Sequence, residues 1–138
     1  MRVLGLDVGQ KRIGVVLSDH EGILASPLTI IDAADIEHAI NNISDLCDQY
    51  QVDRIVVGMP KSMDGTLGKQ AEVVQQFIDR IADVVKITID TWDERLSSIE
   101  ADRAMISAGT KKDKKKKLRD AIAAAIILQG YLDRKRNE

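Results

Sequence analysis

The chain has 138 residues, enough for one buried core; 44% are hydrophobic but only 3% aromatic, so Val, Ile, Leu and Ala must build that core. The longest apolar run, AIAAAIIL, is too short to cross a bilayer, Val3 opens a strand with no signal-like segment before it, and a lone Cys47 excludes an internal disulfide. A formal net charge of −2 excludes a globally basic nucleic-acid binder, although KKDKKKKLR at 111–119 is locally basic and the stretch from Ile31 to Asp53 is acidic. A single domain over residues 1–138, cytoplasmic and away from membranes, is the expectation.

Three short strands open the chain, at Val3–Asp7, Arg12–Ser18 and Ile23–Ile30, joined by Gly-containing turns as a meander. Ile36–Tyr50 repeats apolar residues at helical spacing. Arg54–Gly58 is a β-branched run stopped by Gly-Met-Pro. Lys69–Ile81 carries Val73, Val74, Phe77, Ile78 and Ile81 as one helical stripe, and Lys86–Thr91 alternates as a fifth strand. Ser97-Ser98-Ile99-Glu100 fits a capping box and opens a helix over Ser97–Ser107. Leu118–Lys135 is a long Ala-rich helix, and Lys111–Lys117 before it reads as a mobile, solvated loop. The order βββαβαβαα predicts an α/β fold, a five-stranded mixed sheet flanked by helices.

Acids at strand ends are the unusual feature. In VLGLDVGQKRIGVVLSD, Asp7 closes an apolar strand two residues before Gly9, and Lys11 and Arg12 follow at once. Asp93 and Glu94 follow the fifth strand, and Asp120 falls on the helical face of Ala123, Ala124 and Ile127. An acid on an apolar face is costly unless it is paired or binds a metal. If strands one, four and five are parallel, their C-terminal ends share the edge where open α/β sheets bind ligands. Converging carboxylates repel one another unless a cation neutralises them. Oxygen ligands without a His or Cys cluster suit Mg²⁺ or Mn²⁺. Two such ions about 4 Å apart can activate water and stabilise a leaving oxygen on phosphate. Structural roles compete at several positions: Asp93 as a turn or cap residue, Glu100 as the capping-box partner of Ser97, and Asp64 as a turn-former in MDGT.

GLDVGQKRIGVVLSD, IVVGMPKSMDGT, DERLSS and RDAIAAAIILQGYL, in this order and spacing, resemble the YqgF/RuvX family of pre-16S rRNA nucleases, relatives of Holliday-junction resolvases. The resemblance covers nearly the whole chain and implies an RNase H-like fold. It implies that Asp7, Glu94 and Asp120 are the catalytic, metal-binding acids. It places Gly9, Lys11, Arg12, Asp64, Thr66 and Arg95 within the family's motifs, as residues that meet substrate. Met59-Pro60 stands at the end of the fourth strand, where many RNase H-like nucleases carry an acid.

The implied activity is metal-dependent hydrolysis of phosphodiester bonds in structured RNA, in precursor rRNA or a pre-ribosomal particle. Branched DNA is the alternative substrate, and a symmetric resolvase should then be a homodimer rather than a monomer. A non-catalytic RNA-binding assembly factor would keep the same fold. An actin-like ATPase shares the first phosphate loop but duplicates the fold, and 138 residues hold no second copy. The four aromatics Tyr50, Phe77, Trp92 and Tyr131 are scattered in sequence, so recognition is expected to rest on phosphates and shape. Lys114, Lys115, Lys116 and Lys117 are the candidate phosphate contacts.

Overall fold

The computed structural model describes the backbone of residues 1–60, 68–93 and 112–136, and all of their side chains but those of 112–120, 123 and 136. Its strands are β1 (Val3–Val8), β2 (Arg12–Ser18), β3 (Ala25–Asp32), β4 (Arg54–Met59) and β5 (Thr88–Asp93). Helix α1 (Ile36–Tyr50) precedes β4, α2 (Lys69–Val84) precedes β5, and α3 (Lys112–Arg136) ends the chain. The helix expected over Ser97–Ser107 lies outside the described residues. The sheet order is β3-β2-β1-β4-β5, with β1 parallel to β4, β4 parallel to β5, and β2 antiparallel to both of its neighbours.

Strand β3 starts later than the apolar pattern of Ile23 and Leu24 suggested. The Asp19 carboxylate accepts the N–H groups of Ile23 at 2.7 Å and Leu24 at 3.3 Å, drawing both into the preceding turn. The Ile23 N–H above all holds that carboxyl below its ordinary pKa. Pro27 is tolerated in β3 because this is an edge strand and the β2–β3 register shifts between Val15 and Val16.

Side chains alternate along β1 and divide the core in two. Leu4, Leu6 and Val8 face α1 and α2 in the larger cluster, with Ile13, Val15, Ile55 and Val57 from the neighbouring strands. The helices add Ala39, Ile40, Ile43 and Cys47 from α1, and Ala71, Val74, Phe77, Ile78 and Ile81 from α2. Val73, expected in the α2 stripe, is exposed. Val3, Val16 and Val56 face the other way, against Ala124, Leu128, Tyr131 and Leu132 of α3. Gly5 permits close approach there: a Cβ at this position would lie 3.0 Å from the Leu128 Cβ.

Helix α3 begins at Lys112, so Lys112–Lys117 form its first turns rather than a loop. Lysine is a good helix former and the run contains neither Gly nor Pro. Once the Ala-rich part is packed, each further residue adds a hydrogen bond without a new nucleus, which outweighs modest like-charge repulsion at i,i+4.

Candidate active site at the parallel-strand edge

The C-terminal ends of β1, β4 and β5 form one edge, as their parallel pairing requires. Asp7, near the end of β1, is half-buried and opposes Gly14 of β2. Alternation with Val3 and Gly5 puts it on the α3 face of the sheet. The pairing Leu6↔Val57 continues to set Asp7 level with Gly58, and Gly58 pairs with Trp92. Asp7, Gly58 and Trp92 therefore form one row across the sheet on one face.

Helix α3 runs antiparallel to β1. Its Leu132 lies near Gly22, itself against the Met1 carbonyl, while Leu128 covers Gly5. Position 120 is two turns before Leu128, about 12 Å along the axis, in the direction of the Asp7 end. It also falls on the stripe of Ala124, Ile127, Leu128 and Tyr131, all of them buried. Glu94 directly follows Asp93 in sequence and, with Asp64, Thr66 and Arg95, lies outside the described residues. Among the described residues no three His, Cys, Asp or Glu side chains converge. Of the three candidate acids, only Asp7 has a described side chain.

The β1–β2 hairpin accounts for Gly9. Its N–H donates to the Arg12 carbonyl at 2.8 Å across the two-residue tip Gln10-Lys11, and a Cβ would lie 2.8 Å from that same oxygen. The turn thus uses the glycine N–H that a phosphate would otherwise take. The Lys11 carbonyl accepts the Ala33 N–H at 2.9 Å, anchoring the tip to the end of β3 while the Lys11 side chain is exposed. Arg12 is half-buried and opposes Asp32. Gln70, which no sequence motif singles out, donates from Nε2 to the Val8 carbonyl at 3.2 Å and ties the start of α2 to this edge.

Beside the edge lies a set of residues that sequence distance had hidden. The Trp92 and Tyr131 rings meet edge to face, 6.2 Å between centroids. The Arg134 guanidinium sits 5.8 Å from the Trp92 centroid and the Lys135 ammonium 5.7 Å from that of Tyr131. Behind them, the Tyr131 hydroxyl donates to Asp90 Oδ2 at 2.5 Å, and Arg54 Nη1 donates to the same oxygen at 2.9 Å and to the Tyr131 hydroxyl oxygen at 2.7 Å. Two of the aromatics scattered in the sequence are thus brought into contact by the fold. Two periods carry part of the signal, since Asp90 and Trp92 share one strand face and Tyr131 continues the α3 stripe, but which residues meet is decided by how α3 packs on the sheet. Cys47, buried in α1 with its thiol pushed up to about 11 by burial, is no candidate nucleophile.

Residues 1–134 match the RuvX family, described as Holliday junction resolvase. The chain is 48% identical over 133 residues to a protein of Desulforamulus reducens named "Putative pre-16S rRNA nuclease", covering 96% of this chain and 97% of the relative. A protein of the same name from Clostridium kluyveri is 48% identical over 134 residues, with 97% and 98% covered. Among solved structures, Thermus thermophilus RuvC in complex with a Holliday junction substrate superposes with a TM-score of 0.62 at 13% identity, covering 99% of this chain and 96% of that one. The Fowlpox virus resolvase bound to junction DNA gives 0.58 at 12% identity, covering 98% and 99%. At such identities these structures speak for the fold alone, which is RNase H-like, as the strand order had indicated. The match along the chain and the 48% identity to named nucleases carry the further step: this chain belongs to the RuvX family, nucleases that hydrolyse phosphodiester bonds.

Proposed function

We propose that the chain is a metal-dependent endonuclease of structured RNA, acting in the cytoplasm on the 5′ end of precursor 16S rRNA during ribosome biogenesis, with residues 1–138 as one nuclease domain. The observation that carries this reading is the position of Asp7. A half-buried carboxylate ends a strand on the face covered by α3, at the edge where parallel strands end, in a chain 48% identical to proteins bearing that substrate in their name. Carboxylate oxygen is the donor type that hard divalent cations take. Asp7, Glu94 and Asp120 would hold Mg²⁺ or Mn²⁺, which when bound lowers the pKa of water and offsets phosphate charge. Lys11, exposed on an anchored hairpin tip, supplies a fixed cation to a phosphate, with Arg12 beside it. Gly9 serves by shaping that tip. Asp64, Thr66 and Arg95 remain candidate substrate contacts from the motif.

The test is cleavage of precursor 16S rRNA and of a four-way DNA junction in Mg²⁺ or Mn²⁺, by wild type and by Asp7→Asn. Wild type should cut the RNA, the variant should lose at least about a hundredfold in rate while staying folded, and adding Asp120→Asn should cost little more, since groups acting as a unit are non-additive. An Asp7→Asn protein as active as wild type removes the assignment. Cutting of the junction alone moves the substrate to branched DNA, and RNA binding without cleavage indicates an assembly factor.

A further inference from the structure

Trp92 lies in the same cross-sheet row as Asp7, two strands away. At the usual strand spacing that is roughly 10 Å between the two Cα positions. The member between them is Gly58, which adds no side chain to the row. Next to Trp92 is a pocket of about 290 Å³ lined by Asp90, Thr91, Trp92, Tyr131, Arg134 and Lys135. Ligand sites run from about 300 Å³ upward, so this one suits a single planar ring system.

The lining divides by chemistry. Trp92 offers an indole whose position is fixed by α3: a Cβ on Gly130 would sit 3.3 Å from it, and Tyr131 meets it edge-on. Arg134 and Lys135, both exposed, stand at the last turn of α3. Asp90, the one acid of the lining, is already held by Arg54 and Tyr131. A phosphate is therefore drawn to the Arg134 side, while the flat, uncharged part of a nucleotide fits against the indole. RNA-binding proteins stack splayed-out bases on aromatic rings or on Arg guanidinium planes, and a base within a duplex presents neither face.

We infer that this pocket binds one unpaired nucleotide of the RNA strand cut at the Asp7 edge, its base stacked on Trp92 and its phosphate on Arg134 and Lys135. The orientation towards Asp7 rests on the nuclease reading; the stacking does not. The enzyme is thereby directed to single-stranded segments, such as those flanking a structured element.

Trp92 is the single tryptophan of the chain, so its fluorescence reports this pocket alone. In EDTA, a short oligouridylate should quench that emission saturably, while a blunt RNA duplex of equal length should leave it unchanged. By anisotropy of a labelled oligouridylate, Trp92→Leu should weaken binding roughly tenfold or more. Arg134→Gln, which leaves the sheet and the α3 core untouched, should weaken it severalfold, and it decides the matter if the Trp92 variant fails to fold. Oligouridylate that binds without changing the emission, or does not bind, overturns the inference, as does equal quenching by the duplex. Cleavage of precursor rRNA with a silent Trp92 would sink this pocket and leave the nuclease reading standing. Quenching without any cleavage would do the reverse.

Discussion

Asp90 shows how a residue of β5 is given its role by partners distant in sequence. Arg54 reaches it from β4 and Tyr131 from α3, and the three polar groups close a triangle of hydrogen bonds. The Arg54–Asp90 ion pair is partly exposed, 25% and 36% for the two side chains, so its Coulomb contribution is small. What the triangle does is fix the Tyr131 ring, and through it Trp92. Burial first, then the hydrogen bond to Asp90, raises the Tyr131 pKa above its ordinary value, and the bond to Tyr131 raises that of Arg54. A phenol with a raised pKa binds its proton more tightly in the folded chain. Its contribution is therefore complete below about pH 10 and is lost as pH climbs through the folded value. Tyr131→Phe should cost about 1 kcal/mol at pH 7. The gap between variant and wild type should then close above about pH 10, which thermal melts from neutral to alkaline pH would record. A gap that stays constant with pH would mean that the hydroxyl carries no linked proton.

At the scale of elements, α3 carries the most consequence, because it covers one sheet face, positions Trp92, and bears both position 120 and the lysine run. Consecutive helical positions step round the axis by about 100°, so at most about two of Lys114, Lys115, Lys116 and Lys117 can face one nucleic-acid strand. Changing all four to Gln should flatten the slope of log affinity against log salt by about one to two units rather than four, at about 0.7–0.9 for each phosphate no longer neutralised. Titrations of precursor rRNA over a range of salt read this directly, and an unchanged slope would return the run to a solvated helix end. Most elements were legible in the sequence because hydrophobic period decides them: β1, β2, β4, α1 and α2 fall within a few residues of their expected bounds. The departures have local causes that period does not encode. Asp19 draws Ile23 and Leu24 out of β3, and helix propagation carries α3 back through lysines that charge alone marks as a loop. Of the candidate site, the sequence showed the acid at the end of β1. It did not show the Trp92–Tyr131 contact, which joins residues of β5 and α3 through tertiary packing.

The whole molecule presents one parallel-strand edge, and the number of such edges a substrate needs separates the two nuclease readings. Cutting a junction symmetrically takes two sites related by a two-fold axis, whereas trimming one rRNA strand takes one. The sheet ends in β3 on one side and β5 on the other. On the β3 side, Pro27 and the register shift against β2 interrupt the ladder that a second copy would extend. On the β5 side, the strand is six residues long, which limits the ladder that a second copy laid along it could add. Among the described residues, neither sheet edge invites a partner strand. A monomer of 15.3 kDa is therefore expected in solution at assay concentrations. If each chain carries a whole site, as the nuclease proposal has it, turnover of precursor rRNA per chain should not change as the protein is diluted. For an obligate dimer the rate would instead fall with the square of protein concentration below its dissociation constant. Sedimentation together with a dilution series of initial rates distinguishes the two. A dimeric mass with second-order loss of activity would favour the branched DNA substrate, where paired sites are required.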